Sequence, residues 1–492
     1  MECLVRLQKR PKFIDAIEKF QLSGAYPVFF AVLCTISGLG NKYVYLPIIS
    51  IIALSILFSV LFVRDNKVFI TPIFMIYYAL GTDTPRAFGT SSGNVFAAFD
   101  KDGVIGICIL AAIIVIPVFS RFIADGSLAY AIKNRGITFY GIVALNIAIL
   151  LGGAFSVHWS LLNLVYGVIL VAGLDVFYLI LSSIFRKSDS SVIPYACRIL
   201  VLACLMISLQ IIFRAYLLHL DGRLIWLNKK TGELVLRREH LAMSWGISTI
   251  VGASSAVGIP AAMYLAKNHR FPLFYYVSAL IMWSVTIIVN SRSSMLVGGV
   301  FLIAGIIIIS FFGKNKKCNM LFSVVILTAT VAALIIAYNK VTETSSIKDT
   351  LAEISRFFRL GIVNDRIVLY EAGLKDFLSA PIFGVGWEKG ALPPECQQNN
   401  FYSNMYHCIA IQMGASAGIV GIAALILHAK DYFRIAFKRA RVDRFLLLSV
   451  PASILLMSVV DNYIFYLNLQ IFYVAFLAIA EKHLEETKNK TE

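Results

Sequence analysis

The sequence predicts an all-α, polytopic integral membrane protein with about 14 transmembrane helices. Three observations carry that prediction. Charged residues make up only 15% of the chain, where a soluble domain carries about 25%. Hydrophobic residues reach 59%, with a mean hydropathy of +0.79. The apolar residues also recur in long runs close to the length of a membrane crossing. Together these exclude a soluble globule. The 44 Lys and Arg against 28 Asp and Glu give a net charge of +16. In a soluble protein that surplus would suggest nucleic acid, so its distribution has to be examined first. The 8 cysteines are scattered and form no CxxC pair, which excludes a disulfide framework and a metal knuckle.

Runs bounded by charge or by Pro, Gly and Asn place spans near 23–40, 43–63, 68–82, 104–124, 137–155, 161–185 and 192–217. Further spans follow near 241–266, 271–290, 295–313, 318–338, 404–427, 445–461 and 463–480. Hydrocarbon leaves a backbone no outside hydrogen-bond partner, so each span is a helix and no strand is expected. Arg64 and Lys67, Lys133 and Arg135, Arg186 and Lys187, Lys267 and Arg270, and Lys314, Lys316 and Lys317 fall on one side of the membrane. The run from Lys430 to Arg444 joins them. That side carries roughly two basic residues for each acidic one, the other side near parity, and the rule places both termini in the cytoplasm. The surplus charge is therefore mostly topology, and a nucleic-acid partner loses its support.

The resulting organisation is a cytoplasmic amphipathic segment over 1–22, helices one to eleven over 23–338, a large extracytoplasmic loop over 339–403, three more helices over 404–480 and a cytoplasmic tail over 481–492. In KFIDAIEKF (12–20), Phe13, Ile14, Ile17 and Phe20 share one helical face, as suits a helix lying in the interface. Within the large loop a helix is expected to start at Asn364 or Asp365 and to end at Pro381. Ile367, Leu374 and Leu378 share one face of it, leaving Arg366 and Glu371 for the opposite face or the first turn. Gly384 and Gly386 in FGVGW then permit a tight turn.

These residues carry a resemblance. RIVLYEAGLKDFLSAPIFGVG (366–386), followed by Tyr406, His407 and GASAGIVGI (414–422), resembles the signature of the O-antigen ligase and O-antigen polymerase superfamily; NSRSS (290–294) resembles its upstream Ser-Arg element. The resemblance implies a metal-independent, GT-C-like glycosyltransferase in the cytoplasmic membrane, with no cofactor. Such enzymes pass a glycan from a polyprenyl diphosphate carrier to an acceptor hydroxyl at the outer face. It implies diphosphate-binding roles for Arg292 and Arg366 and a catalytic role for His407. The family's His-Asn pair is His407-Cys408 in this chain. Arg214, Arg359, Glu371, Tyr406, Gly384 and Gly386 are the further candidates for substrate binding. The implied partners are the polyprenyl-diphosphate-linked oligosaccharide and membrane lipid, with accessory flippase and chain-length-regulating proteins as further candidates.

Chemistry supports those residue types. Arginine's permanent, planar fork of donors can bind a departing diphosphate bidentately without a metal. Histidine is the side chain whose ordinary pKa suits a base acting near neutrality. Taken singly, Arg292 reads as an interfacial anchor, Arg366 as a solvated helix-end charge and His407 as a boundary residue. Polymerase is the expected activity, ligase the alternative, and a lipid-linked oligosaccharide flippase the rival from another class. A flippase would show two related halves, and no repeat is found. The motif Asp100-Lys101-Asp102 could hold a divalent cation but is also an ordinary turn. Cys396 and Cys408 face an oxidising space and could pair.

Overall fold

The computed structural model describes residues 11–39, 42–79, 115–325 with short gaps, 361–387, 406–438 and 441–489. Those residues are predominantly helical. In chain order the helices are α1 (Lys12–Gln21), α2 (Ala25–Leu39), α3 (Lys42–Phe62), α4 (Ile70–Ala79), α5 (Val115–Ala124), α6 (Ser127–Lys133), α7 (Phe139–Phe155), α8 (Leu161–Lys187) and α9 (Val192–Leu220). There follow α10 (Ser248–Ala256), α11 (Gly258–Asn268), α12 (Leu273–Ile288), α13 (Arg292–Phe312), α14 (Gly361–Ser379), α15 (Ile409–Phe437), α16 (Val442–Ser458) and α17 (Leu467–Asn489).

Among the described residues, five helices are long and apolar enough to cross a membrane, or up to seven if each of two bent pairs is one span. The chain is thus a multi-pass membrane protein, with fewer full-length crossings described than the 14 expected. The difference has two sources. Expected spans near 104–124 and 318–338 fall wholly or partly outside the described residues. Other apolar helices are shorter than a full crossing: Pro47–Phe62, Phe139–Phe155 and Leu273–Ile288. The amphipathic N-terminal helix forms as α1 and meets α2 at 75°.

Three further departures are local, and two of them have an evident cause. Ile225–Leu227 pairs antiparallel with Leu234–Leu236, although no strand was expected. This short hairpin lies in the connection between α9 and α10, outside any apolar run, where hydrocarbon does not forbid an open edge. The expected span 241–266 begins only at Ser248 and divides at Val257. Pro260 has no N–H to give the Ala256 carbonyl, which removes the hydrogen bond that would carry the helix through this point. The last helix runs past residue 480 to Asn489.

Helix α11 sits at the centre of one group, packed on α9, α12, α13 and α16. Its glycine permits this. A Cβ on Gly258 would lie 2.6 Å from Cys204 Cβ and from Met282 Sδ, the close approach that small residues allow between membrane helices. A second group joins α7 to α8 and α15, and α8 to α17. Helix α17, buried from Leu469 to Ala480, touches both groups.

Candidate active site

At one end of the bundle four chain segments converge. The first is the junction of α12 and α13. Helix α12 closes with Asn290 in the left-handed region at φ 51°. The Asn290 N–H donates to Ile287 O at 2.9 Å and the Ser291 N–H to Thr286 O at 3.0 Å, a Schellman arrangement for which Asn is the usual non-glycine choice. Arg292 therefore opens α13. It is half-buried, and its charge adds to the positive end of the helix dipole, a placement that favours an anion rather than the helix itself.

The second segment is α14. Arg366 and Tyr370, four residues apart, share a face. Both lie half-exposed, and the Tyr370 hydroxyl donates to the His407 carbonyl at 3.5 Å. One turn on, Gly373 has no side chain because Tyr406 and Ile411 occupy the space: a Cβ there would stand 2.9 Å from Tyr406 Cδ1. The Tyr406 hydroxyl donates to the buried carboxylate of Asp376, so α14 is pinned across the entrance of α15. Burial, with the Asp376 carboxylate added to it, pushes the Tyr406 phenol far above its usual range.

The third segment leads into α15. His407 adopts φ 51°, in the left-handed region that is uncommon outside glycine, and its Nδ1 lies 2.8 Å from Asp461 Oδ1. Cys408 is the N-cap of α15 but makes no side-chain cap bond. The fourth segment is the turn between α16 and α17. It supplies Asp461, whose Oδ1 also accepts the Asn462 N–H at 2.8 Å. Burial alone would raise the Asp461 carboxyl. The hydrogen bond and charge of His407, the Asn462 N–H and the charge of Arg366 outweigh it and hold the group below its ordinary value. Arg366 and His407 thus act on one carboxylate. The turn also reaches the first segment, since the Tyr463 hydroxyl lies 3.3 Å from Ser293 Oγ.

The other sequence candidates fall into different places. Gly384 and Gly386, at φ 74° and 98°, are buried and fold the PIFGVGW turn against α15. The Val385 N–H donates to Ala415 O at 2.8 Å and the Trp387 N–H to Asn163 Oδ1 at 2.7 Å. A Cβ on Gly384 would meet the backbone of α15, and one on Gly386 the side chains of Asn163 and Ser156. Glu371 is exposed and lines an apolar groove between α14 and α15. Arg214 donates from Nε to the His240 carbonyl at 2.7 Å, tying α9 to the segment before α10. Arg359, the Asp100–Asp102 motif and Cys396 lie outside the described residues. Among the described residues no group of three His, Cys, Asp or Glu side chains is placed to hold a metal.

Asp461 closes the apolar run 445–461 and belongs to none of the motifs, so the motif pattern does not single it out. Its signal was present: Asp461 and Asn462 interrupt an otherwise apolar stretch, and an ionisable residue there is a functional candidate by default.

One end of a multi-pass helical membrane protein thus gathers a histidine–carboxylate pair and the charge of an arginine. Residues 277–426 match the family model described as O-antigen ligase, and the chain carries a domain of the O-antigen ligase and polymerase superfamily. The match includes Arg292, Arg366 and His407 and stops before Asp461. Comparison with curated proteins finds no significant match. The family domain and the multi-pass architecture together support glycan transfer in O-antigen biogenesis.

Proposed function

We propose that this protein transfers a glycan from a polyprenyl diphosphate carrier to an acceptor hydroxyl, without a metal, and that it does so as a ligase. The observation that carries the reading is the His407–Asp461 contact at 2.8 Å, with the charge of Arg366 beside it. The expected polymerase gives way to the alternative because the matched domain is that of an O-antigen ligase.

With Nδ1–H held by the Asp461 carboxylate, the imidazole lone pair lies on Nε2, and this nitrogen takes the proton of the acceptor hydroxyl. The acceptor oxygen bonds to the anomeric carbon as the bond from that carbon to the diphosphate oxygen breaks, and the bonding electron pair leaves on the diphosphate. Arg366 and Arg292 offset that charge. Asp461 stabilises the imidazolium formed at His407.

Two further observations fit the reading. The groove between α14 and α15 has a volume of about 500 Å³ and is lined by Ile367, Leu374, Phe377, Ile411 and Ile422 together with Tyr370. Its lining residue Tyr370 shares the face of α14 that carries Arg366, a placement that suits an isoprenoid chain ending in a diphosphate. Arg186, Lys267 and Arg444 pair with residues of α16 and α17 at the other end of the bundle, so the positive-inside rule puts the His407 end outside.

The experiment is transfer by purified protein in detergent, where there is no compartment to transport between. Lipid-linked donor is supplied with a lipid or protein acceptor, or alone. Acceptor-dependent product supports the ligase; a size ladder from donor alone identifies a polymerase; no product with either contradicts transfer and returns the flippase.

A further inference from the structure

We propose that Gln412 is a positioning residue that sets the geometry of the His407–Asp461 pair, by clamping together the two chain segments that carry them. Gln412 lies in the first turn of α15 and is 2% exposed. Its Oε1 accepts the Tyr406 N–H at 3.0 Å and the Asn462 Nδ2–H at 2.9 Å. Tyr406 directly precedes His407 in the chain, and Asn462 directly follows Asp461. One amide oxygen therefore ties the backbone beside the histidine to the side chain beside the carboxylate. The amide orientation follows from the bonds themselves: a backbone N–H can only donate, so the atom facing Tyr406 is the oxygen. The opposite end, Nε2, donates to Ser416 Oγ at 2.8 Å, one turn further along α15.

Two features indicate that this arrangement serves geometry rather than burial. His407 is held at φ 51°, a conformation that persists where its surroundings over-determine it. Asn462 is fully buried, and its Oδ1 has no hydrogen-bond partner among the described residues. A buried amide with one half unsatisfied is costly, yet its donor half points at Gln412. Neither Gln412 nor Asn462 has a part in the transfer step proposed above.

The inference rests on His407 acting as the base, so its primary test does not use turnover. The protein is labelled with ¹⁵N-histidine in micelles, and the His407 resonances are identified by their loss in His407→Ala. The parent is expected to show a protonated Nδ1 with a low-field proton. Gln412→Leu keeps the bulk but removes the acceptor, and is expected to lose that signal or average it between tautomers. Gln412→Glu keeps the acceptor and is expected to retain it. Asn462→Leu opens the clamp from the other side and should match Gln412→Leu, which covers the case in which Gln412→Leu does not fold. In the transfer assay the leucine variants should lower kcat at least tenfold with KM little changed. An unaltered His407 Nδ1–H signal in a folded leucine variant, or equal damage in Gln412→Glu, overturns the clamp. A changed signal in a protein whose parent transfers nothing would uphold the clamp and remove the catalytic reading instead.

Discussion

Asp461 is where the chemistry of the site depends most on a single side chain. Its replacement by Asn leaves a neutral oxygen opposite His407 and removes the charge that favours the imidazolium. Transfer should fall by about 10²- to 10⁴-fold, read as initial rate against the parent. The same substitution has a pH signature. The carboxyl is held below its ordinary value of 3.8, so its contribution to stability is complete above that value and is lost as pH falls through the depressed one. The gap in Tm between parent and Asp461→Asn should be constant near neutrality and close in acid, beginning near pH 4; a gap that widens in acid would reverse the assignment. Arg366→Lys tests a different property, because a point charge cannot present two parallel donors. It should stay at least tenfold impaired, and full activity in it would reduce Arg366 to a source of field. At this scale the sequence showed Arg292, Arg366 and His407 through their order and motif, and missed their organiser. Asp461 comes from a distant turn, and proximity across 54 residues of chain leaves no mark in local pattern.

The element that decides the site's shape is α15 with the turn packed on it. Gly418 interrupts α15 with φ 65° and ψ −153°, and there the Ile419 N–H turns to the Pro381 carbonyl at 2.8 Å. Gly384 approaches so closely that a Cβ would lie 2.5 Å from Ala415 O and Ala417 N. Gly384→Ala combines that overlap with a left-handed backbone and should destabilise the protein by about 1–3 kcal/mol, measured as lost Tm with lost activity in proportion. An alanine variant as stable as the parent would mean that the turn is not locked to α15. The glycines were visible in FGVGW as turn formers. Their partner was not, because a glycine that admits a helix backbone and one that admits a substrate look alike in sequence. The ends of α14 show the same limit: Pro381 marked the end of the helix to within two residues, whereas the helix already includes Gly361, ahead of the expected cap at Asn364 or Asp365.

For the whole molecule, composition and apolar runs were enough to give a helical, multi-pass architecture. Among the described residues fewer helices reach full crossing length than the 14 expected, because a run of apolar residues does not by itself fix the length of the helix it forms, as the shorter α7 and α12 show. The proposed orientation rests on charge placement, with the end that carries Arg186, Lys267 and Lys438 in the cytoplasm and the end that carries His407 outside. Glu371→Cys should then react with a membrane-impermeant maleimide in intact cells, and Lys438→Cys only after permeabilisation. The reverse pattern would invert the topology and separate the site from outer-leaflet substrates.

The most direct test of the account is a comparison of parent and His407→Ala, both purified in detergent, with a polyprenyl-diphosphate-linked glycan and a lipid acceptor in the presence of a metal chelator. Metal-independent transfer through His407 should give acceptor-bound glycan and released polyprenyl diphosphate from the parent, and neither above background from a folded His407→Ala. Equal product from the two proteins, or a parent silenced by the chelator, would contradict a metal-independent transfer carried by His407, Asp461 and the arginines.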